Sequence, residues 1–245
     1  MKKINWELWK RAIFDLFFPG DCPVCERAAY LDEVSYACLS CLDSIAWVKH
    51  ARCKLCGMGM DGLDYAGLTC KNCRESSPVF SSGRTMFHLN PAGRNLIHQL
   101  KYHGDKRILQ DVPFFLERAP QFLEFITGAV LIPVPLHKKK LHKRTFNQSV
   151  WIAEALAKEA DVCTVAYDCM TRIRNTPSQT KLDRNQRRKN VKNAFALKAG
   201  TCLDGFDRVV LVDDVYTTGA TLDACASALL ESGVSRVEVA TLGHG

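Results

Sequence analysis

The sequence predicts an α/β protein in which a doubly wound parallel sheet follows a small, metal-stapled N-terminal module. Two observations carry this. From residue 84 onward, aliphatic runs alternate with helix-like stretches, the pattern of strands joined by crossover helices and covered on both faces. Before that, eight of the twelve cysteines fall into four CxxC pairs between residues 22 and 73. A chain of 245 residues has room for one large domain and one small one. The pattern divides it into an N-terminal helix (1–19), a cysteine-rich domain (20–80) and an α/β domain (84–245).

The first segment, MKKINWELWKRAIFDLFFPG, begins like a secretion signal, but Glu7, Lys10, Arg11 and Asp15 interrupt it and no small-residue cleavage site follows. It reads as an amphipathic helix ending before Pro19, with Ile4, Leu8, Ile13, Leu16 and Phe17 among its apolar positions. That face packs on a neighbouring domain or, with Trp6, Trp9 and Phe18, lies on a membrane surface. No apolar stretch approaches the roughly 18 to 20 residues that span a bilayer, so no transmembrane helix is expected.

The paired cysteines are Cys22 and Cys25, Cys38 and Cys41, Cys53 and Cys56, Cys70 and Cys73. Two residues between thiolates let both reach one ion at about 2.3 Å, and two such knuckles complete a tetrahedron. Twelve residues separate the first two pairs and thirteen the last two, gaps that suit hairpins returning to the same ion. Two structural zinc sites are expected. Sequential pairing is the economical arrangement, and the spacing also permits an interleaved one. Gly57 after Cys56 suits a knuckle turn with positive φ. Redox-active CxxC motifs or an iron–sulfur cluster fit four such pairs in 52 residues less well. The lone Cys163, Cys169, Cys202 and Cys225 read as small buried hydrophobes. Cysteine usage of this kind and the missing signal point to the cytoplasm, free or peripheral at the inner face of the membrane.

The formal charge is +7, and eight thiolates holding two zinc ions would lower it to about +3. Local charge is more informative. Residues 136–144, LHKKKLHKR, hold five Lys and Arg and no acid, while residues 172–192 hold eight against Asp183 alone. These are solvated loops or surfaces facing an anion. Trp47, Tyr65 and Phe80 read as small cores for the ribbons, with base stacking as the alternative.

In the second domain, strands are expected at Arg84–Leu89, 129–135, 208–214 and Arg236–Leu242. Helices are expected through Leu96, Ile97 and Leu100, over Lys106–Phe125, over 147–160 and over Thr221–Ser232. The segment VVLVDDVYTTGAT, residues 209–221, concentrates the chemistry. A buried strand ends in Asp213 and Asp214, and a run of small hydroxyl residues opens a helix. The first N–H groups of that helix, with Thr217, Thr218 and Thr221, make an anion cradle, and Gly219 lets the backbone turn close to the anion. Two carboxylates beside a phosphate site suit the hydroxyls of a phosphorylated polyol or a shared metal. A Walker B reading fails because no GxxxxGK[ST] occurs.

With these residues in view, the chain resembles a known family. VVLVDDVYTTGAT is similar to the 5-phosphoribosyl 1-pyrophosphate (PRPP) signature of type I phosphoribosyltransferases. Together with the cysteine-rich N-terminus, LKYHGD at 100–105, PVPLH at 133–137, RTFNQ at 144–148 and the run 174–195, it resembles the ComF family over nearly the full chain. The resemblance implies a sheet of type I phosphoribosyltransferase kind and an association with bacterial DNA uptake and natural transformation. It implies PRPP bound with Mg²⁺, with Asp213 and Asp214 on the ribose hydroxyls and Thr217, Thr218, Gly219, Ala220 and Thr221 around the 5′-phosphate. A pyrophosphate loop then runs from Pro135 through Lys143 and Arg144, and a flexible loop carries Arg174, Gln179, Arg187 and Asn190. The family usually has glycine where Thr145 stands, which puts strain at that position if its φ is positive. Three readings follow: a phosphoribosyltransferase with an unidentified acceptor, a PRPP-binding protein without turnover, and a single-stranded DNA module that meets other competence proteins. No general base for an acceptor is identifiable, and His137 and His142 read as surface residues.

Overall fold

The computed structural model describes residues 21–27, 35–49, 52–60, 68–162, 164–174, 191, 193–201, 203, 206 and 208–245. The N-terminal helix expected over residues 1–19, together with Tyr65, Cys163, Cys202, Gln179, Arg187 and Asn190, lies outside them.

Strand β7 (Arg208–Tyr216) organises the rest. Its apolar residues alternate by face, as a period of two requires: Val210 and Val212 join one buried cluster, Val209 and Leu211 the other. It pairs in parallel with β8 (Arg236–His244) and β3 (Val130–Pro133). β8 pairs in parallel with β2 (Gly83–His88), and β3 with the short β4 (Thr164–Val165). A two-residue strand, β1 (Ala46–Trp47), adds antiparallel to β2, giving the order β1-β2-β8-β7-β3-β4. A separate antiparallel pair, β5 (Met170–Arg172) and β6 (Phe195–Leu197), flanks the segment that holds residues 175–190.

Each sheet face is covered. On the first, Ile152, Ala153 and Leu156 of α7 (Gln148–Glu159) share a core with Leu131, Val210 and Val212. Phe115 of α4 (Val112–Arg118) and Phe122 of α5 (Pro120–Ile126) belong to the same core. On the second, Leu222, Ala226 and Leu229 of α8 (Ala220–Glu231) pack with Val209, Leu211 and Val239. The mixed α/β architecture and mostly parallel sheet match the sequence expectation. The single helix expected over Lys106–Phe125 is instead a 3₁₀ turn (Lys106–Asp111) followed by α4 and α5. Pro113 and Pro120 explain the breaks, since each lacks an amide donor and is tolerated only in a first helical turn.

The cysteine pairs settle into sequential clusters. Cys22, Cys25, Cys38 and Cys41 form one, Cys53, Cys56, Cys70 and Cys73 the other, with the sulfurs of each within 4.8 Å of one another. α1 (Leu39–Ser44) and α2 (Lys71–Ser76) each start directly after a ligand cysteine. The clusters belong to opposite cores: Cys22 packs with the first sheet face, and all four cysteines of the second cluster pack with the other. Trp47 lies against Phe87 and Phe115, and Phe80 is buried edge-on to Tyr216. Phe80 is a core residue with no face left for a base, and Trp47 is partly buried against the first core. Cys169 and Cys225 are buried as expected of lone cysteines.

The first cluster is tied to the larger sheet through Asp111, whose two carboxylate oxygens accept from the amides of Tyr36 (2.7 Å) and Ala37 (2.9 Å). Asp111→Ala removes both acceptors and should cost about 2 kcal/mol. The expected readout is a lower denaturant midpoint, with zinc lost first from the N-terminal cluster.

Candidate active site

The carboxyl ends of β3 and β7 meet at one end of the sheet, the place where open α/β folds bind ligands. Asp214 is buried there at 3% exposure. Its Oδ1 pairs with Lys101 Nζ at 2.9 Å, while its Oδ2 is buried without a hydrogen-bond partner among the described residues. Asp213 Oδ1 accepts from the Ser149 hydroxyl and from the Asp214 amide, both at 2.9 Å. Burial, and then the neighbouring Asp214 charge, push the Asp213 carboxyl up to about 7. Lys101 responds oppositely: burial alone would lower it, but the two aspartates outweigh that and hold it above its ordinary value.

Lys101 lies in LKYHGD, outside the loops to which the resemblance assigns roles. It sits in a one-turn π-helix (Gln99–His103) that widens the end of α3 (Pro91–His98), a feature common at functional sites. LKYHGD was visible as a motif, but a π-turn has no propensity signature to say which side chain it aims inward.

The turn after β7 enters α8 through a left-handed glycine. Gly219 has φ of +73° and caps α8, and a Cβ there would lie 2.2 Å from the Tyr216 hydroxyl. Glycine is required twice, by the dihedral and by the ring. Thr217 is exposed, and the Ala220 amide lies 3.4 Å from Thr218 Oγ1. Thr221 stands in the first turn of α8. Tyr216 is buried, stacks on His244 at 4.9 Å and places its hydroxyl 4.0 Å from Cys73 Sγ. The second cysteine cluster therefore lies directly beneath the turn.

Residues 138–144 form a helix, α6 (Lys138–Arg144), where the sequence suggested a loop. His137 Nδ1 caps it by accepting from the Lys139 amide, and Lys, Leu and Arg are good helix formers. Burial, then the like charges of Arg172, Arg144 and Lys101, hold the Lys140 ammonium below its usual range. Lys140 thus belongs to a cation group with Lys101, Arg144 and Arg172, whereas Lys143 is exposed on the same helix. Arg172, 6% exposed at the end of β5, was counted in the basic run but not singled out. Arg174 is exposed two residues on.

The RTFNQ motif also resolves into contacts. Arg144 donates to Gln148 Oε1 (3.1 Å), Asn147 donates to the Val134 carbonyl (3.0 Å), and the following Ser149 reaches Asp213. Pro135 lies in the turn between β3 and α6. Thr145 has φ of +65°, so the strain anticipated for a β-branched residue is present, on the order of 1–3 kcal/mol.

The cysteine clusters fit zinc on their own chemistry. A tetrahedron with 2.3 Å bonds has edges of about 3.8 Å, and Cys25–Cys38 and Cys56–Cys70 sulfurs are 4.0 and 3.8 Å apart. Backbone amides of Cys38 and Cys70 point at Cys22 and Cys53 sulfurs at 3.3 Å, which favours thiolates. Gly57 has φ of +73° and Glu26 takes the matching left-handed position in the first knuckle.

Comparison with known proteins agrees. A double zinc ribbon domain matches residues 13–77. A DNA utilization protein YhgH of Escherichia coli O157:H7 is 31% identical over 224 residues, covering 90% of this chain and 88% of that protein. The chain belongs to the ComF family. Competence protein F of Haemophilus influenzae is 26% identical over 84% of this chain and 95% of its own length. Competence protein ComFC of Bacillus subtilis is 26% identical over 80% and 78%. The ComF family likeness thus spans the ribbons and the sheet together. Among the described residues no helix is long and apolar enough to cross a membrane.

An Asp213 pKa raised above its unfolded value of 3.8 means that its contribution to stability is full below pH 3.8 and is lost as pH rises through 7. Asp213→Asn should therefore stabilise the protein at pH 8, by about 1 kcal/mol given partial solvent contact, and hardly at pH 4. Thermal unfolding at the two pH values measures this.

Proposed function

We propose that this protein binds PRPP through a type I phosphoribosyltransferase-like site and transfers its phosphoribosyl group, in a setting of DNA uptake and use. The observation that carries the reading is the buried, unpartnered Oδ2 of Asp214, beside Asp213 and directly before a glycine-turned helix N-terminus. An unsatisfied buried acceptor calls for a donor, and two ribose hydroxyls supply such donors. The Thr217–Thr221 turn would hold the 5′-phosphate a few residues on.

Transfer would break the bond between the anomeric carbon and pyrophosphate as a nucleophile from the acceptor takes its place. Lys140, Arg144 and Arg172 form a cation group suited to the charge that develops on the leaving oxygens. Lys101 neutralises Asp214 so that the carboxylate pair does not repel the ligand. The hard carboxylate oxygens of Asp213 and Asp214 also suit a magnesium ion carried by PRPP, which when bound would offset pyrophosphate charge. The same site without an acceptor would serve as a PRPP sensor.

Calorimetric titration of the zinc-loaded protein with PRPP and Mg²⁺ tests the reading. Binding should be measurable in the native protein and weakened at least about 100-fold in Asp213→Ala, Asp214→Ala, equivalent to about 2.7 kcal/mol. A native protein that is folded and zinc-replete but binds no PRPP would sink it.

A second reading has its own support. Lys138, Lys139 and Lys143 are exposed on α6, and curated relatives carry the names DNA utilization protein and competence protein. If α6 tracks a phosphate backbone of single-stranded DNA, affinity should fall steeply with salt, and neutralising these three lysines should lower the slope of log K against log salt by about 2. A flat salt response argues against it.

A further inference from the structure

A chain of contacts joins the first cysteine cluster to Lys101. α1, which carries Cys41, ends at Ser44, and the Ser44 carbonyl accepts from the side chain of Asn90 (2.6 Å), the cap of α3. Further along α3, Asn95 donates to the carbonyl of Val24 (3.3 Å), which lies between the ligand cysteines Cys22 and Cys25. Gln99 donates its side-chain amide to Glu26 Oε1 (2.8 Å), and Glu26 holds the left-handed position directly after Cys25. Beneath these bonds, Leu96 and Leu100 share a buried cluster with Cys22 and Val24. The first metal knuckle is thus seated on the helix that leads to Lys101.

Gln99 is the junction of that chain. Its carbonyl accepts from the amide of Gly104, five residues on, and from that of Asp105 (3.3 Å), which closes the π-turn. Its side chain meets the knuckle, and two residues later Lys101 reaches Asp214 at 2.9 Å. A π-turn is a rare, single-turn departure from the α-helix, so a contact that fixes Gln99 fixes the turn from which Lys101 projects. We propose that Gln99 is a positioning residue through which zinc in the first cluster holds Lys101 on Asp214, so that loss of that zinc weakens the ligand site.

The two clusters differ in the way such a switch requires. All four cysteines of the second are buried, whereas Cys25, Cys38 and Cys41 of the first are only partly so, and a chelator reaches them sooner. A small ribbon depends on its ion for its shape, so an empty first cluster releases Val24 and Glu26, and with them Asn95 and Gln99. Lys101 then loses its anchor, and the uncompensated charges of Asp213 and Asp214 oppose an anionic ligand. Coupling between two sites is reciprocal, so a ligand that needs Lys101 in place tightens the first zinc by the same factor. The consequence for PRPP rests on the reading above, whereas the link from the cluster to Lys101 does not.

The test uses full-length, zinc-loaded protein and reads hydrogen exchange at the Gly104 and Asp105 amides by NMR, with Val210 and Leu211 of β7 as the internal reference. Gln99→Met, which keeps the length of the side chain and removes its donor, should speed exchange at both amides about tenfold with zinc fully retained. Glu26→Ala should do the same, while Glu26→Gln, which keeps the accepting oxygen, should behave as the native protein. Chelation limited to the first zinc should reproduce the Gln99→Met pattern. PRPP affinity should fall about tenfold in Gln99→Met, further in Lys101→Met, and no further when the two are combined. Unchanged exchange in Gln99→Met, equal effects of Glu26→Ala and Glu26→Gln, or exchange that rises throughout β7 when the first zinc leaves overturns the proposal. A native protein that binds no PRPP but shows the exchange response defeats the PRPP reading and leaves the link standing. PRPP binding with exchange and affinity both unchanged in Gln99→Met removes the link alone.

Discussion

The arrangement at the end of β7 depends on keeping two adjacent carboxylates in a largely desolvated place. Side by side and without compensation, Asp213 and Asp214 could not both ionise. Lys101 supplies the compensation at 2.9 Å, and it reaches there only because the helix before it opens into a π-turn. Ser149 and the Asp214 amide take one oxygen of Asp213, yet one oxygen of Asp214 remains unsatisfied. A fold selected for stability alone would fill that position with an apolar side chain. On the proposed function, the site would be held ready for a ligand at the expense of stability, the usual relation between activity and stability in binding sites.

The metal module is part of the same construction rather than an appendage. Its clusters pack against opposite faces of the sheet, with β1 between them pairing onto β2. The second cluster is in contact, through Tyr216, with the Thr217–Thr221 turn: Cys73 meets the Tyr216 hydroxyl, and the same hydroxyl excludes any side chain at Gly219. Ribbons of this size bury little apolar surface of their own, so metal binding would contribute much of their folding free energy. Part of that order passes to the turn.

The large features were legible because each rests on a local rule. Cysteine spacing alone pointed to two four-sulfur clusters, and the uninterrupted aliphatic run Val209 to Val212 announced a strand buried on both faces. VVLVDDVYTTGAT placed acids, hydroxyls and glycine in one turn, and the strain at Thr145 followed from a single positive φ. Other features rest on long-range context. Lys101 and Asp214 are 113 positions apart, and nothing near either names its partner. Lys140 and Lys143 look alike in LHKKKLHKR until a helix turns one toward Arg172 and the other toward solvent. β1, β4, β5 and β6 are two or three residues long, below the length at which periodicity speaks.

The central claim is that a phosphorylated sugar sits between the carboxylate pair and the glycine turn. A crystal structure of the zinc-loaded protein grown with saturating PRPP and Mg²⁺ tests it most directly. The account predicts the 5′-phosphate within the Thr217–Thr221 turn, ribose hydroxyls on Asp213 and Asp214, and pyrophosphate facing Lys140, Arg144 and Arg172. Ligand bound elsewhere, or an empty site at saturation with Asp214 Oδ2 still unpartnered, would contradict it.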